Sequence, residues 1–312
     1  MKNKRIILMG TPFFAANVFE KIINDGWNVV AIISQPDRPI GRKQEMVNTP
    51  TKEIGKKYNI PVFQVEKIKN DYSFVEKLFP DLIITCAYGQ IIPEAMLKIP
   101  TFGCLNIHAS LLPKLRGGAP IHRSLINGYD KTGITIMEMI YKMDAGKIYS
   151  QMETPIYESD NLETLSLRLQ TMASNMIVEF LPKYFAGKCI GIPQDENAVT
   201  YGYNIKREEE KINWNKSSVD IFNLIRGLSP QPGAYSVLEG KIVKIYSCYK
   251  ISNTDKAIPG TIISLEKGIV VKTYDGALRI ELMQFEGRKK MSSLSFINGL
   301  KESILNKRFD LE

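Results

Sequence analysis

"RIILMGTPFFAANVFEKIINDGWNVVAIIS", residues 5–34, is the stretch on which the fold turns. Ile6 to Met9 form an unbroken apolar run closed by Gly10, with no polar residue at alternate positions. A strand of that kind buries both faces. Phe13 to Ile23 then carry apolar residues at helical spacing, Gly26 stops them, and Val29 to Ile33 repeat the apolar run. Strand, helix and strand within thirty residues predict two parallel strands joined by a crossover helix. The pattern recurs in "DLIITCAYG" (81–89) and "GCLNIHAS" (103–110). "GITIMEMI" (133–140) and "GKIYSQMETPI" (146–156) read as a pair of longer strands, and residues 161–187 as a long helix ended by Gly187. The predicted class is α/β, with a Rossmann-like, mostly parallel sheet.

Past Gly187 the texture changes. "KCIGIPQDENAVTYGYNIKREEEKINW" (188–214) is polar, mixed in charge and without a sustained period, which predicts a connector running over the surface. "SSVDIFNLIRGL" (217–228) reads as a helix with a serine cap. Short strands with Lys-Gly and Asp-Gly turns follow, predicting a small antiparallel β-barrel of the OB-like kind. The expected division is a domain at 1–188, a linker at 189–207 and the barrel domain at 208–312.

Composition sets outer limits. The 312 residues carry 41 Lys+Arg against 33 Asp+Glu, a net charge of +8 spread over both halves, which favours a polyanionic partner. The four cysteines, Cys86, Cys104, Cys189 and Cys248, are scattered, with no histidine at ligand spacing, so neither a zinc site nor a disulfide framework is expected. The N-terminal apolar run is too short for a signal peptide, and no window approaches a membrane span. A cytoplasmic protein with no membrane association is expected. "MGTP" offers one glycine where a dinucleotide fingerprint needs three, which argues against an NAD or ATP site.

The chemistry concentrates in "NIHASLLPKLRGGAP" (106–120), which holds His108, one of only two histidines. Asn106 and His108 lie two apart on a predicted strand, so both side chains leave one face, about 6–7 Å apart. At the carboxyl end of a parallel strand, ligands collect. An amide and an imidazole there can both donate to a carbonyl oxygen that gains charge. By itself an Asn-x-His is more often a strand end whose polar groups satisfy the next loop. Asp144, in "YKMDAGKI", sits in a loop between two predicted strands, where a carboxylate can meet the imidazole or merely shape a turn. The other histidine, His122, opens a predicted helix and reads as a packing or capping residue.

A wider set of segments resembles one family. "MGTPFFA", "QPDRPIGR", "AYGQIIP", "GCLNIHASLLPKLRGGAPI", "TGITIM", "MDAGKI", "VTYGYNIKREEEKINW", "LSPQPGAYS" and "FEGRKKMS" stand in the order and spacing of the methionyl-tRNA formyltransferase family, over essentially the whole chain. The Asn-x-His…Asp set with SLLP is common to folate-dependent formyltransferases and hydrolases. The QPDRPIGR loop and the barrel with PQPGAYS single out the tRNA enzymes.

The resemblance implies formyl transfer from 10-formyltetrahydrofolate, as co-substrate, to the amino group of methionine on initiator tRNA, by a monomer needing no metal and no nucleotide cofactor. It implies that Asn106 and His108 support an oxyanion while Asp144 orients the imidazole and helps move the amine proton. The folate is expected along Tyr88, Gly89, Gln90 and Ile91, with Ser110, Leu111, Leu112 and Pro113 as a wall. Arg38, Arg42 and Lys43 are expected at the acceptor end of the tRNA, and Arg288, Lys289 and Lys290 at its phosphates. Where the family continues the first loop with Gly and two lysines, this chain has Lys43, Gln44 and Glu45, so its loop is less basic. Two rival readings stand beside this one. A sister enzyme acting on glycinamide ribonucleotide, an amino sugar or water would not call for both the PDRPIGR loop and the barrel. A non-catalytic RNA-binding protein would not call for Asn106, His108 and Asp144.

Overall fold

Residues 2–40 and 44–310 are described by the structure, a computed structural model, and they divide into two compact units. The first comprises residues up to 120 with 131–155 and 166–203, and the second 121–130, 156–165 and 204 onward.

The first unit is built on strands β1 (Ile6–Gly10), β2 (Val29–Ser34), β3 (Arg38–Ile40), β4 (Glu45–Val47), β5 (Val62–Gln64), β6 (Leu82–Cys86), β7 (Cys104–His108), β8 (Lys131–Glu138) and β9 (Ile148–Pro155). Seven of them form one sheet in the order β5-β2-β1-β6-β7-β8-β9. The first five run parallel, and β8 and β9 are antiparallel additions. Every residue of β1 and β6 is buried, as their unbroken apolar runs require of strands covered on both faces. The helix Phe13–Asn24 supplies part of that cover through Ala15, Ala16, Val18, Phe19 and Ile22. Gly10 makes the first turn possible: a Cβ there would stand 2.4 Å from the Cys86 carbonyl oxygen and 2.6 Å from the Ala15 Cβ. The long helix Leu162–Phe185 ends where Gly187 adopts φ +67°, with the Lys188 and Gly187 amides donating to Lys183 O and Tyr184 O. That is a Schellman stop.

Strand order reverses between β1 and β6, whose carboxyl ends pair at Gly10 and Cys86. The crevice at such a switch point is where open α/β sheets bind ligands. Residues 87–93 leave the sheet there, and β7 lies next along.

The second unit holds β10 (Ala234–Leu238), β11 (Lys241–Ile251), β12 (Ile262–Ser264), β13 (Val270–Lys272), β14 (Ala277–Phe285) and β15 (Met291–Ser292). They are antiparallel in the order β10-β11-β14-β13-β12, with β15 on β14. The C-terminal tail reaches both edges: Phe309 N donates to Gly260 O beside β12, and Asp310 N to Val237 O on β10. This is the small barrel predicted from strand spacing. Its core gathers Trp214, Ile245, Leu278 and Phe309, and the buried indole N–H of Trp214 donates to Ser236 Oγ at 3.0 Å. Helix Ser218–Gly227 packs with that core through Ile221 and Ile225 and carries the expected cap, Ser217 accepting from Asp220 N.

Candidate active site

Asn106 and His108 share one face of β7, and their partners come from three further segments. On β6, Thr85 lies in register with Asn106 and its hydroxyl donates to Asn106 Oδ1 at 2.9 Å. The Asp144 carboxylate sets the amide orientation, because it only accepts and so requires the NH₂ end, which leaves Oδ1 for the hydroxyl proton. The Asn106 Nδ2 then points to Asp144 Oδ1, at 3.3 Å. His108 is 5% exposed, and its Nε2 stands 3.0 Å from Leu115 O. A carbonyl only accepts, so Nε2 carries a proton and a neutral ring has its lone pair on Nδ1. Nδ1 lies 3.8 Å from Asp144 Oδ2.

Asp144 arrives by a fold-back. After β8, Met139 N donates to Cys104 O and Lys147 O accepts from Glu138 N, so residues 139–147 curl back over the sheet. Asp144 takes φ +47°, the left-handed region that few non-glycine residues adopt. Its Oδ2 also accepts the Gly117 amide at 2.8 Å. Gly117 has φ +121°, and a Cβ there would meet Gly202 O at 3.0 Å, so glycine alone fits. The carboxylate therefore holds an amide N–H and a backbone N–H, with the imidazole Nδ1 3.8 Å away. Such a group can orient a ring and exchange a proton with it, beside an N–H donor suited to a carbonyl gaining charge.

The remaining predicted residues fall into several settings. Tyr88 is 5% exposed and packs among Ile7, Ile92 and Met96, and burial pushes its phenol up to about 12. Its hydroxyl and that of Thr132 are the buried side-chain oxygens without a hydrogen-bond partner among the described residues. Gly89 turns with φ +84°, and Ile91 is 75% exposed. The Gln90 amide spans Gln35 Oε1, the carbonyls of Val65 and Glu66, and Ile68 N, so it ties the loop to its neighbours. Ser110 Oγ donates to Lys114 O, and Leu112 is pinned by Thr135 and Gln151. Leu111 and Pro113 are half-buried beside it. Arg38 lies in a β3–β4 hairpin and pairs with Glu66 at 2.9 Å, while Arg42 and Lys43 lie outside the described residues. Arg288, Lys289 and Lys290 are exposed in the β14–β15 turn, with Lys290 Nζ 3.6 Å from the Tyr246 ring centroid and the Arg288 guanidinium over Phe296. His122 lies half-buried in the helix Pro120–Ile126, and burial, followed by the charge of Arg123, pulls it below the usual histidine range.

Two features escaped the sequence reading. Residues 192–203 do more than connect: Thr200 O and Gly202 N bond to Arg116 N and O, and Gly202 O accepts from Ala119 N. Arg116 is fully buried, with its guanidinium on Gln194 and Glu196. The hydrogen bond from Arg116, and then that from Lys142, pulls Glu196 down to about 2. Local composition carries no signal for this, since the partners are about 80 positions apart.

The sequence matches the formyl transferase family over residues 4–181 and the formyl transferase C-terminal domain over residues 204–301. It is 46% identical over 299 residues to the methionyl-tRNA formyltransferase of Geobacillus sp. (strain WCH70), covering 95% of this chain and 94% of that one. This chain belongs to the methionyl-tRNA formyltransferase family. The Bacillus cytotoxicus methionyl-tRNA formyltransferase is 45% identical over 304 residues, covering 96% and 97%. The fold is also that of the sugar 3N-formyl transferase WlaRD, with TM-score 0.66 and 18% identity over 93% of this chain and 100% of that one. HypX from Aquifex aeolicus in complex with tetrahydrofolic acid gives TM-score 0.63 and 19% identity over 96% of this chain. The formyltransferase chain spans about half of HypX's length. Among the described residues, no group of three or more His, Cys, Asp and Glu side chains is placed to hold a metal ion. No helix among them is long and apolar enough to cross a membrane.

Proposed function

We propose that this protein transfers the formyl group of 10-formyltetrahydrofolate to the free amino group of methionine on initiator tRNA. It acts as a monomer in the cytoplasm, with catalysis and folate binding in residues 1–188, a linker at 189–207, and tRNA contacts from the barrel at 208–312. The observation that carries the reading is Asp144 held between Asn106 Nδ2, Gly117 N and the His108 imidazole.

The folate supplies a formyl group on a nitrogen that can leave. The site suits such a ligand: the loop at 87–93 leaves the sheet at its switch point and exposes Ile91, and the Asp144 loop exposes Ile140, Tyr141 and Met143. Apolar walls around a few convergent polar groups suit a flat, hydrogen-bonding heterocycle. Tyr88, Gly89, Gln90 and Ile91 would border it on one side, and Ser110, Leu111, Leu112 and Pro113 on another. Asp144 and His108 would take up the proton of the attacking amine. Asn106 Nδ2, with a protonated His108 Nδ1, would donate to the formyl oxygen as it gains charge, and the proton would then pass to the departing nitrogen. Arg38, Arg42 and Lys43 would meet the acceptor end of the tRNA, and Arg288, Lys289 and Lys290 its phosphates.

The test mixes the purified protein with 10-formyltetrahydrofolate and Met-charged initiator tRNA, Met-charged elongator tRNA or glycinamide ribonucleotide, and follows N-formylmethionine released by hydrolysis. Formylation of the initiator alone is expected. Transfer only to another amine or to water would move the protein to a sister activity.

A further inference from the structure

We propose that Gln194 is a positioning residue for this chemistry, holding the Asp144 main chain so that its carboxylate reaches Asn106, Gly117 and His108. The proposal rests on the function proposed above and assigns a role to a side chain 50 positions beyond the loop it holds.

Asp144 has a left-handed backbone. Such a conformation lasts only where its surroundings over-determine it. Gln194 provides that constraint. Its Nε2 donates to Asp144 O and to Gly146 O, each at 2.8 Å. Its Oε1 accepts from Arg116 Nε at 3.1 Å and Nη2 at 2.9 Å. The four partners admit one amide orientation, because the reverse sets oxygen against two carbonyls and NH₂ against a guanidinium. Arg116 cannot move to relieve a change, being fully buried and paired with Glu196 at 2.9 Å. Glu196 also pairs with Lys142, two residues before Asp144, so a second tie runs from the same segment to the same loop.

The anchor reaches the other side of the site as well. Arg116 lies between Leu115, whose carbonyl receives the His108 Nε2 proton, and Gly117, whose amide binds Asp144. Gln194 thus joins the two loops that set the imidazole and the carboxylate. None of its four hydrogen bonds goes to a side chain of the trio: it meets Asp144 only at the main-chain carbonyl, so it acts through the Asp144 backbone and not at a reacting atom.

Gln194→Met keeps the length and removes every hydrogen bond. Gln194→Glu keeps the acceptor for Arg116 and loses both donors to the carbonyls. A displacement of about 1 Å at a reacting group costs on the order of 100-fold. Both variants should therefore lose about 10- to 100-fold in kcat, with KM for folate and for Met-tRNA changed less than about twofold. In an Asp144→Asn background, Gln194→Met should cost less than about threefold more, because coupled residues are not additive. The chain has two histidines, so the imidazole ¹H–¹⁵N spectrum reads the site without turnover. The His108 signals should move in both variants and those of His122 stay in place. Unchanged kcat and unchanged His108 signals in the folded Glu variant would overturn the proposal, as would a full additive loss in the Asp144→Asn background. If the wild type formylates no tRNA, the functional reading fails, and the spectrum still decides whether Gln194 holds the loop.

Discussion

Asp144→Asn preserves shape and removes one charge, so its effect can be worked from the contacts. The native carboxylate accepts the Gly117 amide on Oδ2 and the Asn106 amide on Oδ1. An asparagine has one acceptor and one donor end. With NH₂ in the Oδ2 place, two N–H groups would face each other where the native contact is 2.8 Å. With NH₂ in the Oδ1 place it meets Asn106 Nδ2, and the conflict ends only if Asn106 turns over. The Thr85 hydroxyl permits that, since it can rotate its proton toward Leu105 O, 3.2 Å away, and accept from the turned amide. The site then stays folded but loses the Asn106 N–H as a donor to the formyl oxygen, together with the charge beside His108.

Loss of one oxyanion donor costs roughly 10²–10³ in rate, and an acid–base partner contributes about 10²–10⁴. The expected fall is on the order of 10²–10⁴, or about 2.7–5.4 kcal/mol of barrier. Stability should change little: charge-assisted hydrogen bonds become neutral ones, a difference of about 1 kcal/mol. The assay is single-turnover formylation with enzyme in excess over Met-tRNA, beside urea denaturation of the same preparation. A rate within about threefold of wild type would refute the role given to Asp144. Loss of the fold would refute the hydrogen-bond argument.

Three further outcomes follow from other parts of the molecule. Lys289→Ala with Lys290→Ala should raise KM for tRNA and flatten its dependence on log salt by about one for each phosphate no longer neutralised, and an unchanged slope would remove these residues from the tRNA surface. Glu196 has its carboxyl lowered to about 2 by Arg116 and Lys142, so its contribution to holding residues 194–202 is full above the ordinary value of 4.5 and is lost as pH falls toward about 2. Amide exchange of residues 114–118 and 195–202, corrected for intrinsic rates, should show that loss in the wild type and not in Glu196→Gln; loosening that begins above pH 4.5 would be inconsistent with it. Tyr88→Phe deletes a buried hydroxyl that has no partner, so stability in urea should stay level or rise by about 1 kcal/mol, and a clear loss would mean that the hydroxyl is bonded.

The sequence by itself determined the fold class and its main strands and long helices. Ile6–Met9 and Leu82–Cys86 read as strands of a covered sheet, because short, nearly unbroken apolar runs show neither a helical stripe nor a solvent face. The Asn106–His108 pairing was equally legible, since a strand's two-residue period depends on nothing distant. Even the stop at Gly187 and the cap at Ser217 are local matters of backbone conformation and one hydrogen bond.

Tertiary structure alone decided what surrounds them. Thr85 faces Asn106 only because β6 lies beside β7 in that register, and Asp144 reaches the pair only because its loop folds back over the sheet. Arg116 and Gln194 offered no sign of their roles: a lone arginine before two glycines and a glutamine in a polar connector are what exposed segments contain. Burial made Arg116 need partners, and a left-handed aspartate made Gln194 useful to hold it. Both needs arise only when segments far apart in the chain are brought out of water together, and no local pattern of residues encodes that.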